Sequence, residues 1–326
     1  MSESQKSGKR KVVVIGAGAV GSTFCYALAQ SGLANEIIIL DKNEDLARGQ
    51  VLDLAHGQPY FPSVSIRIGD ASDHADADMV VVTAGAAQRP GQSRIELLRK
   101  NAAIIRSIVD DVVGQGSNAV LLIVTNPVDV LTHVALRQSG WEKGRVIGSG
   151  TVLDSARLRY LLSRHCLVDV HNVHAYVLGE HGDSEFAAWS MTHIAGMSME
   201  DYCPMCGRCA HWRDERRRIE QEVRDSAYHI IDYKGATWFA VGMAMTRIVG
   251  AVWRNQRSVL TVSTLLDGEY GLGDVCLGVP SIVAQNGVER IVEAPLDLDE
   301  RKSLTASAEI LKQALRQLND AAPDSD

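Results

Sequence analysis

The strongest constraint on the fold is a series of short, unbroken apolar runs in the first 150 residues: KVVVIGAG, EIIILD, SVSIRIGD, DMVVVTAG, NAVLLIVTNP and GRVIGSG. A strand with one wet face alternates apolar and polar residues. These runs stay apolar at both parities, so both faces must be covered, as in a parallel sheet. Parallel neighbours need crossover segments, and residues 19–32 and 94–114 have the length and pattern of crossover helices. The expected fold is α/β: a Rossmann-type doubly wound parallel sheet over 11–150, preceded by a disordered extension over 1–10.

Beyond Gly150 the rhythm changes to that of an α+β unit, 151–326, expected to carry the substrate and catalytic groups. A helix opens at Thr151, and strand-like stretches follow at 170–178 and 185–194. Over 213–233, Ile219, Val223, Ala227 and Ile230 define a one-sided surface helix. A more apolar helix is expected over 237–255, then strands near Val259, Val275 and Val288, and a closing helix over 298–318.

Composition removes several function classes. Forty acidic against 33 basic residues leave a net charge of −7, without the broad positive field that nonspecific nucleic-acid binding needs. The longest apolar run, 119–124, falls far short of the roughly 18 residues of a membrane-spanning helix. The opening MSESQKSGKR has no apolar secretory segment. The expectation is a soluble cytoplasmic protein, with no membrane or nucleic-acid partner and its cysteines reduced. Cys203, Cys206 and Cys209, followed by His211, have metal-like spacing, but no second CxxC accompanies them. No metal is expected, and a surface loop or a redox-sensitive thiol pair remain as readings.

Gly16, Gly18 and Gly21 spell G-x-G-x-x-G directly after a strand and at the mouth of a helix. The first glycine permits a tight turn, the second lets backbone approach a pyrophosphate, and the third allows close helix packing. Ala19, Val20 and Gly21 then form a first helical turn whose N–H groups can meet the anion. Asp41 follows Gly21 by about twenty positions at the end of the next strand, where it can accept both ribose hydroxyls of an adenosine. It would repel a 2′-phosphate, so NAD is expected rather than NADP, although Lys42 stands beside it. An inert strand-end cap is the alternative for Asp41.

Asp154 and Arg157 are three apart on an expected helix and share a face. His181, in the turn GEHGD, can meet Asp154 across the fold. An imidazole held by a carboxylate has a fixed tautomer and a stabilised cation, which suits acid–base work near neutral pH. A turn-packing histidine is the plain alternative. Asn126, in TNP, ends a strand at the sheet edge where ligands collect, or simply makes a turn there.

The segments VVVIGAGAVGS, TAGAAQRPGQSR, VTNPVDV, GSGTVLDSARLR, LGEHGDSE, KGAT and DVCLGVP resemble, in order and separation, those of the L-lactate and malate dehydrogenase family. The bacterial L-lactate dehydrogenases are the most similar branch, and the likeness runs from about Lys11 to Leu318. It implies NAD as cofactor and reversible hydride transfer from NADH to pyruvate giving L-lactate, the last step of anaerobic glycolysis. By the same resemblance His181 shuttles the proton, Asp154 orients it, Arg157 grips the substrate carboxylate and Arg94 is a mobile cation that polarises the carbonyl. Asn126 lies beside substrate and nicotinamide, Thr83, Ala84, Gly85 and Thr125 lie along the cofactor, and Thr237 lines the pocket.

In the resembled family the residue two before the loop proline faces the far end of the substrate, glutamine in lactate enzymes and arginine in malate enzymes. That residue here is Gln88, with Arg89 adjacent. Arg159 and His174 match a fructose 1,6-bisphosphate site between subunits of a homotetramer, with an interface salt bridge as the alternative. Two other readings compete: a malate dehydrogenase, and a dinucleotide-binding protein without catalysis. Joint presence of Arg94, Asp154, Arg157 and His181 argues against the second.

Overall fold

The computed structural model describes residues 9–87, 91–208 and 211–320. Gln88, Arg89 and Cys209, along with most of the N-terminal extension, lie outside the described residues. The first half runs β1 (Lys11–Ile15), α1 (Ala19–Ser31), β2 (Glu36–Leu40), α2 (Glu44–His56), β3 (Ser65–Ile68), β4 (Met79–Val82), α3 (Arg94–Gly114), β5 (Val120–Ile123), α4 (Val128–Ser139) and β6 (Val146–Gly148). These six strands are parallel and lie in the order β3-β2-β1-β4-β5-β6. The chain reverses direction across the sheet between β1 and β4, which opens a crevice at their carboxyl ends.

The second half continues with α5 (Val152–Cys166), β7 (Val173–His174), β8 (Val177–Leu178), β9 (Phe186–Ala187), β10 (His193–Ile194), β11 (Met197–Ser198), α6 (Met199–Cys206), α7 (Trp212–Lys234) and α8 (Phe239–Trp253). It ends with β12 (Ser258–Leu260), β13 (Ser263–Asp267), β14 (Gly273–Gly278), β15 (Ser281–Ala284), β16 (Gly287–Ile291) and α9 (Leu298–Asn319). The strand-like stretches expected at 170–178 and 185–194 are pairs of two-residue strands, the first pair preceded by a 3-10 turn and the second interrupted by one.

Strands β13 and β14 add to the edge of the parallel sheet, antiparallel, with Ser263 opposite Gly148, so one eight-stranded sheet spans both halves of the sequence. Along β1 the pleat sends Val12 and Val14 to one face and Val13 to the other. The first face packs on Phe24 and Leu28 of α1 and on Met245, Ile248, Val249 and Val252 of α8. The other face packs on α3, α4 and α9. A third apolar cluster joins α5, α7 and β7 through Leu158, Leu162, Val173, Ile219 and Val223, which holds the helix bearing Asp154 against the loop bearing His181. Among the described residues no helix is long and apolar enough to cross a membrane.

Candidate active site

A cavity of about 1050 Å³ opens at the carboxyl ends of β1, β2 and β4 and is lined by Gly16, Gly18, Asp41, Lys42, Thr83 and Ala84, among others. Gly16 has φ +112°, and a Cβ there would lie 2.6 Å from Thr83 Oγ1 and 2.7 Å from the Ala84 nitrogen. At Gly21 an added Cβ would lie 1.9 Å from the Gly16 oxygen, so this glycine is what lets α1 start against the turn. Gly18 is different: among the described residues nothing beyond its chain neighbours lies within 4 Å of its Cβ position, so the space above it is open. No side chain caps α1 at Gly18, and the free N–H groups of an uncapped helix start attract an anion.

The carboxylate of Asp41 is fixed by the Ala17 N–H on Oδ2, at 2.7 Å, and the Asn43 N–H on Oδ1, at 2.9 Å. It is thereby aimed along the cavity with lone pairs left over for hydroxyl donors. Thr83 Oγ1 donates to the Gly16 oxygen at 3.0 Å, and Thr125 Oγ1 donates to the Ala84 oxygen at 2.7 Å, tying three strand ends together. Gly85 also lines the cavity, and a Cβ on it would collide with Thr125 Cγ2 at 2.4 Å. Ala19, Val20, Gly21, Thr125 and Asn126 are not among the lining residues; Gly21 and Thr125 act behind it as packing.

Near the carboxyl end of β5, where Asp129 at the start of α4 accepts the His181 N–H, His181 Nδ1 and Asp154 Oδ2 are 2.6 Å apart, and Arg157 Nη1 donates to Asp154 Oδ1 at 2.6 Å. The expected triad is assembled. Among the described residues, His181 Nε2 and the Nε and Nη2 of Arg157 have no hydrogen-bond partner, which leaves a proton donor and two guanidinium nitrogens for a substrate. Burial by itself disfavours the imidazolium, but the charge of Asp154, its hydrogen bond and the nearby Glu185 and Asp129 outweigh this and push His181 up to about 9. Burial would raise Asp154, yet His181 and Arg157 hold it below the ordinary carboxylate range.

Two residues that sequence reasoning left unassigned belong to this constellation. Asp129, buried on α4, accepts the backbone N–H of His181 on Oδ2 at 2.8 Å. Among the described residues its Oδ1 has no partner within hydrogen-bond distance, and burial, only partly offset by Ser263 and His181, pushes its carboxyl up to about 6. Glu185 is buried within 4.8 Å of both Asp154 and His181, measured between potential ligand atoms. Both stand inside quoted motifs, VTNPVDV and LGEHGDSE, where neighbouring residues drew the attention. A third, Asn101 on α3, accepts the Ala86 N–H at 2.8 Å and donates to the Asn126 oxygen at 3.0 Å, fixing the stem of the loop against the end of β5.

Arg94 is the first residue of α3, placed there by a capping box between Ser93 and Glu96. Its side chain is 89% exposed, and Nη1 lies 4.0 Å from Asp183, so in this arrangement it stands at the rim and not over His181. Thr237 is half-buried just ahead of α8. Arg159 points away from Arg157, as expected of residues two apart on a helix, and donates to the oxygens of Val173 and Val170. His174 is exposed, beside Val173. Cys203 is buried on α6 and Cys206 Sγ reaches the Cys203 oxygen at 3.3 Å. Among the described residues, the group of metal-ligand types that converges is Asp154, His181 and Glu185.

The model of the lactate/malate dehydrogenase NAD binding domain matches residues 10–148, and that of the lactate/malate dehydrogenase alpha/beta C-terminal domain matches 151–321. The chain belongs to the lactate/malate dehydrogenase family. Among members of this family, an L-lactate dehydrogenase of Treponema denticola is 59% identical over 95% of this chain and 99% of its own length. L-lactate dehydrogenase 1 of Clostridium acetobutylicum is 51% identical over 94% and 97%. Of solved structures, a minor L-lactate dehydrogenase of Enterococcus mundtii in ligand-bound form superposes with a TM-score of 0.93 at 39% identity, covering 98% of this chain and 100% of that one. A lactate dehydrogenase from a Medee basin deep-sea metagenome library gives 0.93 at 42%, over 95% and 99%.

Proposed function

We propose that the protein is an NAD-dependent L-lactate dehydrogenase that interconverts pyruvate and L-lactate. The observation that carries this reading is the Asp154–His181 pair with the unoccupied nitrogens of Arg157 beside it, in a chain whose cavity at the carboxyl ends of β1, β2 and β4 fits a dinucleotide. The fit rests on the open space at Gly18, the uncapped start of α1 and the orientation of Asp41. Residues 16–21 and Asp41 would hold the cofactor, with Thr83, Ala84 and Gly85 alongside. Bound NADH supplies the hydride; the remaining work falls to the chain.

Arg157 grips the substrate carboxylate through Nε and Nη2 while Nη1 stays on Asp154. His181, protonated at neutral pH, presents Nε2–H to the carbonyl oxygen and gives up its proton as negative charge develops there. Asp154 holds Nδ1–H, which fixes the tautomer and keeps the cation stable until that moment. Arg94 moves inward from the rim to face the same oxygen, and Asn126 and Thr237 complete the pocket. Gln88 is proposed, from the sequence, to meet the far end of the substrate. A neutral amide there leaves a second carboxylate unpaired, a penalty of about 3–5 kcal/mol in a dry site, so pyruvate is favoured over oxaloacetate. Comparing kcat/KM for pyruvate and oxaloacetate with NADH tests the reading; faster turnover of oxaloacetate would make the protein a malate dehydrogenase.

Two further parts of the reading concern assembly. Tyr26 on α1 and Phe239 and Met243 on α8 are large apolar side chains, each more than half exposed, and α1 packs on α8. Such a face suits a second copy, and a homotetramer in the cytoplasm is the proposed state. Light scattering that gives a single chain mass would reject it. Arg159 holds the backbone next to His174 and lies close enough to Arg247 to disfavour its charge further, after burial has done so, with Arg254 adding to the effect. This positive group supports fructose 1,6-bisphosphate as an activator. An apparent KM for pyruvate that stays constant as the bisphosphate is titrated would remove that activation from the reading.

A further inference from the structure

Glu185 immediately precedes β9 and is 5% exposed, so its carboxyl is an acid placed inside the protein. Potential ligand atoms of Glu185, Asp154 and His181 all lie within 4.8 Å of one another. Among the described residues no donor is hydrogen-bonded to the Glu185 carboxyl. Its backbone oxygen, by contrast, accepts from Arg224 Nη1 at 3.2 Å. A buried acid is ordinarily paired. This one is set against a pair that already has its own carboxylate.

We propose that Glu185 is a positioning residue of the acid–base array, a second carboxyl stationed against the Asp154–His181 pair that keeps the proton on His181 as the solution turns alkaline. The inference rests on His181 being the proton donor of the reaction. The charged groups around Glu185 come from several elements. Asp154 and Arg157 face it from α5, His181 from its own loop, and Arg224, with Glu220 on the same guanidinium, from α7. Asp129 stands behind His181 on α4. On α9, Glu300 is turned to the backbone and hydroxyl of Ser190.

Even with the imidazolium and the Arg157 guanidinium beside them, two carboxylates so close together in a water-poor site cannot both be charged without cost, since burial disfavours each charge and the two repel. Burial first, and then the charge of Asp154, raise Glu185 well above the ordinary carboxyl range, so at neutral pH it is the uncharged member. Neutral Glu185 adds no second negative charge beside the substrate. When it ionises, it gives the His181 cation another anion nearby, and the imidazole then lets go of its proton at a higher pH than Asp154 alone would secure. Proton losses from such neighbours belong to the pair jointly.

The test titrates His181 directly in the full-length protein by NMR of labelled histidine, with the resonance assigned by its loss in His181→Asn. Glu185→Gln keeps the shape and removes the charge, and its His181 midpoint is expected about one pH unit below that of the wild type. Glu185→Asp keeps a carboxyl on a shorter arm and should fall between them. Wild-type protein alone gives a second reading: infrared difference spectra should show a protonated-carboxyl stretch at neutral pH that disappears on alkalinisation. Equal midpoints in wild type and Glu185→Gln, or no such band in the wild type, would overturn the proposal. The functional reading fails separately, if the wild type does not reduce pyruvate, and the His181 midpoints still decide the place of Glu185 in that event.

Discussion

His181 Nδ1 and Asp154 Oδ2 stand 2.6 Å apart although 27 positions separate them in the chain. The contact exists because Leu158 and Leu162 of α5 and Val173 and Val177 share one apolar cluster, which brings the helix and the returning loop together. Against the cost of burial, Asp154, with Glu185 and Asp129 nearby, pushes the imidazole up to about 9.

A raised value means that His181 is protonated throughout the neutral range and loses its proton only as pH passes about 9. Pyruvate reduction needs the charged form, so kcat/KM for pyruvate should be flat through neutrality and fall above that point. Lactate oxidation needs the neutral form and should climb over the same interval. In Asp154→Asn the supporting anion is gone, the decline should move to below neutral pH, and the rate should drop about 100-fold or more. Identical pH profiles for the two proteins would refute the assigned pairing.

Arg157→Lys replaces a fork by a point charge. Losing a bidentate grip worth about 2 kcal/mol should raise KM for pyruvate by about 10- to 100-fold. The change in NADH affinity, measured by fluorescence titration, should be small, because Arg157 does not line the cavity proposed for the dinucleotide. A normal pyruvate KM in this variant would remove Arg157 from the carboxylate site.

Gly18 and Gly21 should part company when each is changed to alanine. At Gly18 the added methyl meets nothing among the described residues beyond its chain neighbours within 4 Å, so Gly18→Ala should melt like the wild type yet bind NADH weakly. At Gly21 the methyl would fall 1.9 Å from the Gly16 oxygen, so the helix must move, at a cost of about 1–3 kcal/mol in stability. Equal effects on melting would show that the space at Gly18 is not kept for a ligand.

Asp129 offers a test of pH and stability together. Burial pushes its carboxyl up to about 6 from 3.8, so the folded protein holds this proton more tightly than the unfolded chain does. The resulting stability is complete below the unfolded value and is lost as pH rises through about 6. Asp129→Asn cannot titrate, and relative to wild type it should gain up to about 3 kcal/mol between pH 4 and 6 and nothing further above. Urea denaturation at several pH values measures this; parallel curves would mean that Asp129 is not strained by burial.

Much of this arrangement was legible in the sequence because its signals are local. The unbroken run VVVI could only be a covered strand, and the glycine spacing after it fixed where the first helix begins. Arg157 and Arg159, two apart on α5, point to opposite sides of it, a consequence of helix geometry that needs nothing beyond their spacing. What escaped depends on tertiary placement. Asp129 and Glu185 read as ordinary acids near motif residues, and only their burial beside His181 gives them chemistry. The strands β13 and β15 were missed because STLLD and SIVA are short and lie next to the glycines of turns, so no run stood out. Within 185–194 the 3-10 turn over Trp189–Met191 contains no Gly or Pro, so nothing local announced that it would interrupt the strand-like stretch.

The sheet that crosses from one half of the sequence to the other has a consequence for anyone dissecting this protein. A fragment ending near Gly150 would leave β6 as a bare rim where β13 now pairs with it, and would strip α8 from the face of α1. The four α8 side chains buried there represent about 6–12 kcal/mol of apolar burial, as much as the whole net stability of a typical domain. Such a piece should be sticky and poorly folded, so the nucleotide half is best studied by point substitution within the intact chain and not by truncation.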